Sequence, residues 1–154
     1  MDRVCKLNIN LTNISIPAII KKNDSNASVL FPNVINVNVV LDGDRPLGSI
    51  QYLSTLVDFS RLQTISVRLP NYFTLDMNPV DNIGILLERA FNVRSFAIRT
   101  SCVNDVSIAN IKGICSILPR HVRHFQVNTR LFEQMKEILE QVQHISSISF
   151  RSPG

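Results

Sequence analysis

Cysteine is scarce in this 154-residue chain: Cys5, Cys102 and Cys115 are odd in number and form no C-x-x-C spacing. That excludes a disulfide scaffold and a zinc-finger framework, and leaves reduced core thiols as the expected state. Long apolar runs are missing too. Met1-Asp2-Arg3 leads into alternating sequence without the apolar stretch of a signal peptide, and no uninterrupted span is long enough to cross a bilayer. A soluble intracellular protein, cytoplasmic or nuclear, is expected. The sequons at Asn10, Asn13, Asn23 and Asn26 would carry glycan only in a secreted chain, and among fifteen asparagines they are expected by chance. Excess charge is small. Sixteen Lys and Arg against twelve Asp and Glu leave +4, a mild preference for acidic partners that falls short of a nucleic-acid binder's basic stripe.

Catalytic signatures are equally absent. There is no G-x-S-x-G, G-x-x-x-x-G-K-[ST], H-E-x-x-H or G-x-G-x-x-G, so neither an enzyme nor a cofactor is expected. Glu133, Glu137 and Glu140 share a helix-like stretch with Lys136, but that spacing describes a solvated outer face rather than paired catalytic carboxylates.

What the chain does have is a core and a period. Its 45% hydrophobic content and mean hydropathy of +0.13 predict one folded domain spanning residues 1–154. Apolar residues recur at the first, fourth and sixth places of six segments. These are Val4, Leu7, Ile9; Val34, Val37, Val39; Leu62, Ile65, Val67; Val93, Phe96, Ile98; Val122, Phe125, Val127; and Ile145, Ile148, Phe150. The first places are spaced by 30, 28, 31, 29 and 23 residues, near the roughly 20–29 of leucine-rich repeats.

Helix-like stretches with apolar residues three and four apart lie between them, such as Ile108, Ile111, Cys115 and Leu118, or Leu131, Met135, Ile138, Leu139 and Val142. Ser49 and Asp81 are expected to open two helices, and Pro17 suits a first helical turn. The expected fold is α/β: a leucine-rich-repeat solenoid of about six irregular repeats, with a curved parallel sheet inside and helices outside. A doubly wound α/β sheet is the rival, disfavoured by the near-constant interval and the identical strand register. Strands are expected to start near residues 6, 36, 64, 95, 124 and 147. No capping unit is recognisable at either end, so the chain is expected either to belong to something longer or to self-associate through uncapped sheet edges.

Two departures from the period stand out. Residues 21–28, KKNDSNAS, form a polar insertion, and residues 71–79, NYFTLDMNP, carry Tyr72, Phe73 and Met77 off the end of the third strand. Loops on such edges often bind partners, so Tyr72 and Phe73 are candidates, against the alternative of a local apolar plug.

The repeats FPNVINVNV, FSRLQTISV and LPRHVRHFQV resemble the irregular leucine-rich repeats in the C-terminal part of F-box proteins. The resemblance implies a non-catalytic protein-interaction module, the substrate-recognition part of an F-box-type ubiquitin ligase adaptor. The chain departs from the pattern in two ways. It has no recognisable F-box: Leu69-Pro70 and Leu118-Pro119 begin like one, but each lies within a repeat and lacks the acidic residue that should follow. The asparagine that usually closes each repeat is replaced by Thr12, Asp42, Pro70, Ser101, Arg130 and Pro153, so irregular turns are expected.

His121 and His124 look like a metal pair but are not one, because residues three apart on a strand point to opposite faces about 10 Å apart. His144 stands in its repeat where His121 stands in the previous one, a turn position filled elsewhere by Arg3, Asn33, Arg61 and Asn92. Two ligands without a third predict no metal site.

Strand residues alternating with the apolar template should form an inner face in three rows. The first is Lys6, Asn36, Thr64, Ser95, His124, Ser147; the second Asn8, Asn38, Ser66, Ala97, Gln126, Ser149; the third Asn10, Val40, Arg68, Arg99, Asn128, Arg151. Only Val40 and Ala97 are apolar. Arg68, Arg99 and Arg151, with Lys6, His124 and Gln126, are therefore the expected contacts for an acidic or phosphorylated segment of a partner protein. Nucleic acid or a phospho-ligand on the same arginines is the alternative, separable by its steeper salt dependence.

Overall fold

The computed structural model describes residues 5–10, 29–40, 46–69, 79–100, 108–128 and 132–151. The polar insertion, the expected Pro17 helix, the repeat-closing positions, Cys102 and the Tyr72-Phe73 loop all lie outside the described residues. Six strands form one parallel sheet: β1 (Lys6–Asn10), β2 (Asn36–Val40), β3 (Thr64–Leu69), β4 (Ser95–Thr100), β5 (His124–Asn128) and β6 (Ser147–Arg151). Their spatial order is the order of the chain, β1 to β6, without reversal. A doubly wound sheet would reverse direction at a switch point, and this one does not.

Each strand starts at its expected residue because the alternation leaves one acceptable register. A slip of one would turn Val37 and Val39, or Phe96 and Ile98, to the opposite face. In the four inner strands and the turns leading into them, all twelve template residues, from Val34 to Val127, are at most 2% exposed. At the sheet margins Leu7, Ile9, Ile145, Ile148 and Phe150 are half-buried. Phe96 and Phe125, Cα partners on β4 and β5, lie nearly parallel with ring centroids 6.0 Å apart.

Four helices connect the later strands: α1 (Pro46–Leu56), α2 (Pro79–Arg89), α3 (Ile108–Ile117) and α4 (Phe132–Gln141). A sheet that steps one strand over in one direction favours right-handed crossovers with their helices on one face, and the described helices α1 to α4 share one. Leu53, Ile83, Leu86, Leu87, Ile114, Cys115 and Ile138 accordingly share one core with the strand template. Gly84 stands where α2 meets α3: a β-carbon there would lie 3.4 Å from Ile117 Cδ1, an ordinary van der Waals contact.

The helices depart from expectation at their starts. α1 begins at Pro46 rather than Ser49, and α2 at Pro79 rather than Asp81. A proline at the first helical position has its φ already set and lacks only an N–H that would find no acceptor there. Three side-chain expectations change as well. Cys5 is exposed ahead of the edge strand and only Cys115 of the described cysteines is a core thiol. Leu139 is 55% exposed, whereas the buried positions are Gln134 and Ile138 on α4 and Val142 just after it. Glu137 is not merely solvated: its carboxylate meets Lys112 Nζ at 3.0 Å and ties α4 to α3, while Lys136 and Glu140 form a looser 3.9 Å pair.

Candidate functional site

The helices cover one sheet face, and the other carries the three polar rows in the expected register. Lys6 pairs with Asn36, Asn36 with Thr64, Thr64 with Ser95, Ser95 with His124 and His124 with Ser147. The second row is continuous from Asn8 to Ser149. In the third, Val40 pairs with Arg68, Arg68 with Arg99, and Asn128 with Arg151.

This separates the expected site residues into places. Arg68 and Arg99 are direct neighbours at the C-terminal ends of β3 and β4. Gln126 is one strand beyond Ala97, so it borders Arg99 diagonally. Arg151 is on the edge strand, two strands from Arg99. Lys6 and His124 belong to the opposite, N-terminal row and stand four strands apart, roughly 19 Å at about 4.8 Å per strand.

Small residues occupy the middle of the face. Ser66 and Ala97 are 7% and 8% exposed on the face away from the described helices, at register positions flanked by the longer Asn38, Arg68, Arg99 and Gln126. On their β1 side opens a recess of about 310 Å³ lined by Asn8, Asn38, Val40, Ser66, Arg68 and Arg99, together with Ile9 and Val39. Its base is ordered: Asn38 Nδ2 donates to Asn8 Oδ1 at 2.6 Å. That bond leaves Asn8 Nδ2 as a donor and Asn38 Oδ1 as an acceptor, a strand apart.

The electrostatics are one-sided. None of the eighteen face positions is Asp or Glu. Among the described residues, Asp81, Glu88, Glu133, Glu137 and Glu140 lie on α2 and α4, and the only acidic residue off these helices is Asp58. Asp58 caps the short 3₁₀ helix Phe59–Arg61, accepting from Ser60 N at 3.0 Å and Ser60 Oγ at 2.6 Å. No described ion pair involves Arg68 or Arg99. Arg99 is half-buried, and its Nε is shielded from solvent yet donates to no protein atom. The Gln126 side-chain nitrogen is in the same condition.

The turn positions have a different job. Arg61 Nη1 donates to Pro32 O at 3.2 Å, Asn92 Nδ2 to Ser60 O, and Arg94 Nη1 to His121 O at 3.0 Å, stapling successive turns. His121 has its Nε2 buried without a hydrogen-bond partner, and backbone bonds to Ala90 and Leu87 at the end of α2 favour its charged form. Burial first, and then the nearby Arg94 charge, hold its pKa below the usual imidazole value against those bonds. Among the described residues no three His, Cys, Asp or Glu side chains gather as metal ligands. Burial, with a smaller contribution from Glu137, raises the Cys115 thiol to about 11, so it is an inert core group.

Sequence reasoning missed the stapling, the recess and the unpartnered Arg99 Nε. The recess was signalled only by the small Ser66 and Ala97 between long neighbours. No family model, curated protein or solved structure matches the chain. Among the described residues no helix is long and apolar enough to cross a membrane.

Proposed function

We propose that this chain is a non-catalytic protein-interaction module, a leucine-rich-repeat solenoid of about six irregular units that receives a partner protein on the sheet face opposite its described helices. The observation that carries this reading is that face: in-register rows of amide, hydroxyl and guanidinium groups, exposed at Asn8, Arg68, His124 and Arg151 and indented by a recess, opposite a face whose central strands are committed to the core. Amide and hydroxyl rows offer both donors and acceptors, which suits the mixed polar surface of a protein. No face position is Phe, Tyr or Trp, so beyond the lone His124 ring the face offers no stacking platform of the kind that usually holds single-stranded nucleic acid. The resemblance to F-box proteins suggests the finer role of substrate recognition in an intracellular ubiquitin ligase adaptor.

The test compares proteins recovered with the wild-type chain, with Ala97→Trp in the middle of the face, and with Lys136→Trp on the outer side of α4. Partners of the face disappear with the first variant and persist with the second. If every partner survives Ala97→Trp, the face is not the binding surface. Salt separates the remaining class: a nucleic acid contacting 6–10 phosphates loses roughly 10³–10⁵ in affinity between 50 and 200 mM salt, and a protein groove far less.

A further inference from the structure

The recess beside Arg68 and Arg99 has a chemistry of its own. Two guanidinium groups stand on neighbouring strands with Cα atoms in register, and no carboxylate on the face balances them. Evenly spread positive charge would minimise repulsion, whereas here it is doubled at one point of the sheet. One of these groups, Arg99, also holds an Nε–H out of solvent without an acceptor. A buried donor left in this state is costly, and a ligand oxygen that displaces the groups covering it would satisfy it.

The charge count selects the kind of oxygen. One carboxylate would neutralise one arginine and leave the other unpaired, whereas a phosphomonoester carries about −1.5 to −2 at neutral pH and presents three acceptor oxygens to two forked donors. The base of the recess selects what carries the phosphate. Asn8 Nδ2 and Asn38 Oδ1, fixed by their mutual bond, present one donor beside one acceptor. That pair complements the C=O and N–H of a peptide main chain. Val40 adds an apolar wall for the methylenes or ring between backbone and phosphate. The volume of about 310 Å³ is at the small end of ligand sites, of order 300–1,000 Å³, and suits one modified side chain rather than a folded element.

We infer that Arg68 and Arg99 bind the phosphate of a phosphorylated side chain in the partner, with the Asn8–Asn38 pair holding the adjoining peptide group. The inference rests on the protein-binding role of the open face and adds that the face is read only after modification. A free nucleotide or sugar phosphate would engage the same arginines, and competition against the peptides separates it from a modified side chain.

The experiment uses the full chain and fluorescein-labelled degenerate peptide libraries fixed at a central phosphoserine, phosphothreonine or phosphotyrosine, with unphosphorylated and glutamate-centred counterparts. Anisotropy should show at least one phosphorylated library binding more than tenfold tighter than both counterparts. Arg99→Lys keeps the charge but loses Nε–H and the fork, and should weaken that binding more than tenfold without lowering the melting temperature; Arg68→Lys is the second variant. Equal binding of phosphorylated and unphosphorylated libraries, abolished by Ala97→Trp, would overturn the phosphate site and leave the protein-binding role standing. No binding of any library would overturn the inference, as would an AMP or inorganic phosphate competitor binding more tightly than every peptide.

Discussion

Arg99 should cost the folded protein stability, and its replacement by methionine should recover it. Its Nε is shielded and unpartnered, and a buried unsatisfied donor costs about 1–3 kcal/mol. Its in-register neighbour Arg68 adds like-charge repulsion. At the strand spacing of about 4.8 Å this is at most about 0.9 kcal/mol in water, less as the side chains diverge. Methionine removes both contributions while keeping an unbranched apolar stem over Ala97 and Ser66. Because Arg99 is only half-buried, the lower part of the range applies, and the gain is about 1–2 kcal/mol. For a chain of this size that raises Tm by about 2–8 °C. Urea denaturation followed by circular dichroism should show a higher midpoint at an unchanged slope. Arg68→Met, at an exposed position, relieves repulsion alone and should gain less. A midpoint lowered in Arg99→Met would refute the reasoning, because it would mean that the guanidinium is satisfied within the fold.

Three further outcomes follow from groups away from that face. His121 titrates below its ordinary value of 6.5 in the folded chain, so the unfolded chain takes up the proton first. Stability should be flat above that pH and fall as pH drops through it; His121→Asn should flatten the fall in Tm between pH 7.5 and 5.5, and an unchanged slope would assign it elsewhere. Cys115, with its pKa near 11, should resist iodoacetamide at pH 8 in the native protein while Cys5 is alkylated, as peptide mass mapping will show. Gly84→Ala should stabilise by up to about 1 kcal/mol through helix propensity, since the added carbon meets only Ile117, at 3.4 and 4.0 Å. A lower Tm would mean that α2 and α3 cannot accommodate it.

Strand positions and the composition of the open face were legible because alternation is a strong signal: Val37 and Val39 cannot be buried in any register that also buries Asn38. Helix starts were less so. Ser49 and Asp81 are good caps, but Pro46 and Pro79 upstream are good first residues, and local sequence does not rank them. Leu139 fits the apolar spacing of α4 yet lies at the margin of its buried stripe, where a small rotation of the helix decides exposure. Neighbouring the arginines required only the register; finding the shielded Nε required the paths of Arg99 and the side chains around it, which no pattern of residue types encodes.

The strand order has a mechanical consequence. Because every strand is hydrogen-bonded only to its immediate neighbours in the chain, no strand clamps two distant parts of the molecule together. Tension applied at residues 5 and 151 therefore loads the outermost pairs, β1 with β2 and β5 with β6, before it reaches β3 and β4. Each parting strand takes one ladder of about five residue pairs with it and passes the load to the next. Under a pulling force the sheet would give way as a sequence of small, similar steps running inward, with the Phe96–Phe125 stack and the arginine pair among the last parts of it to separate.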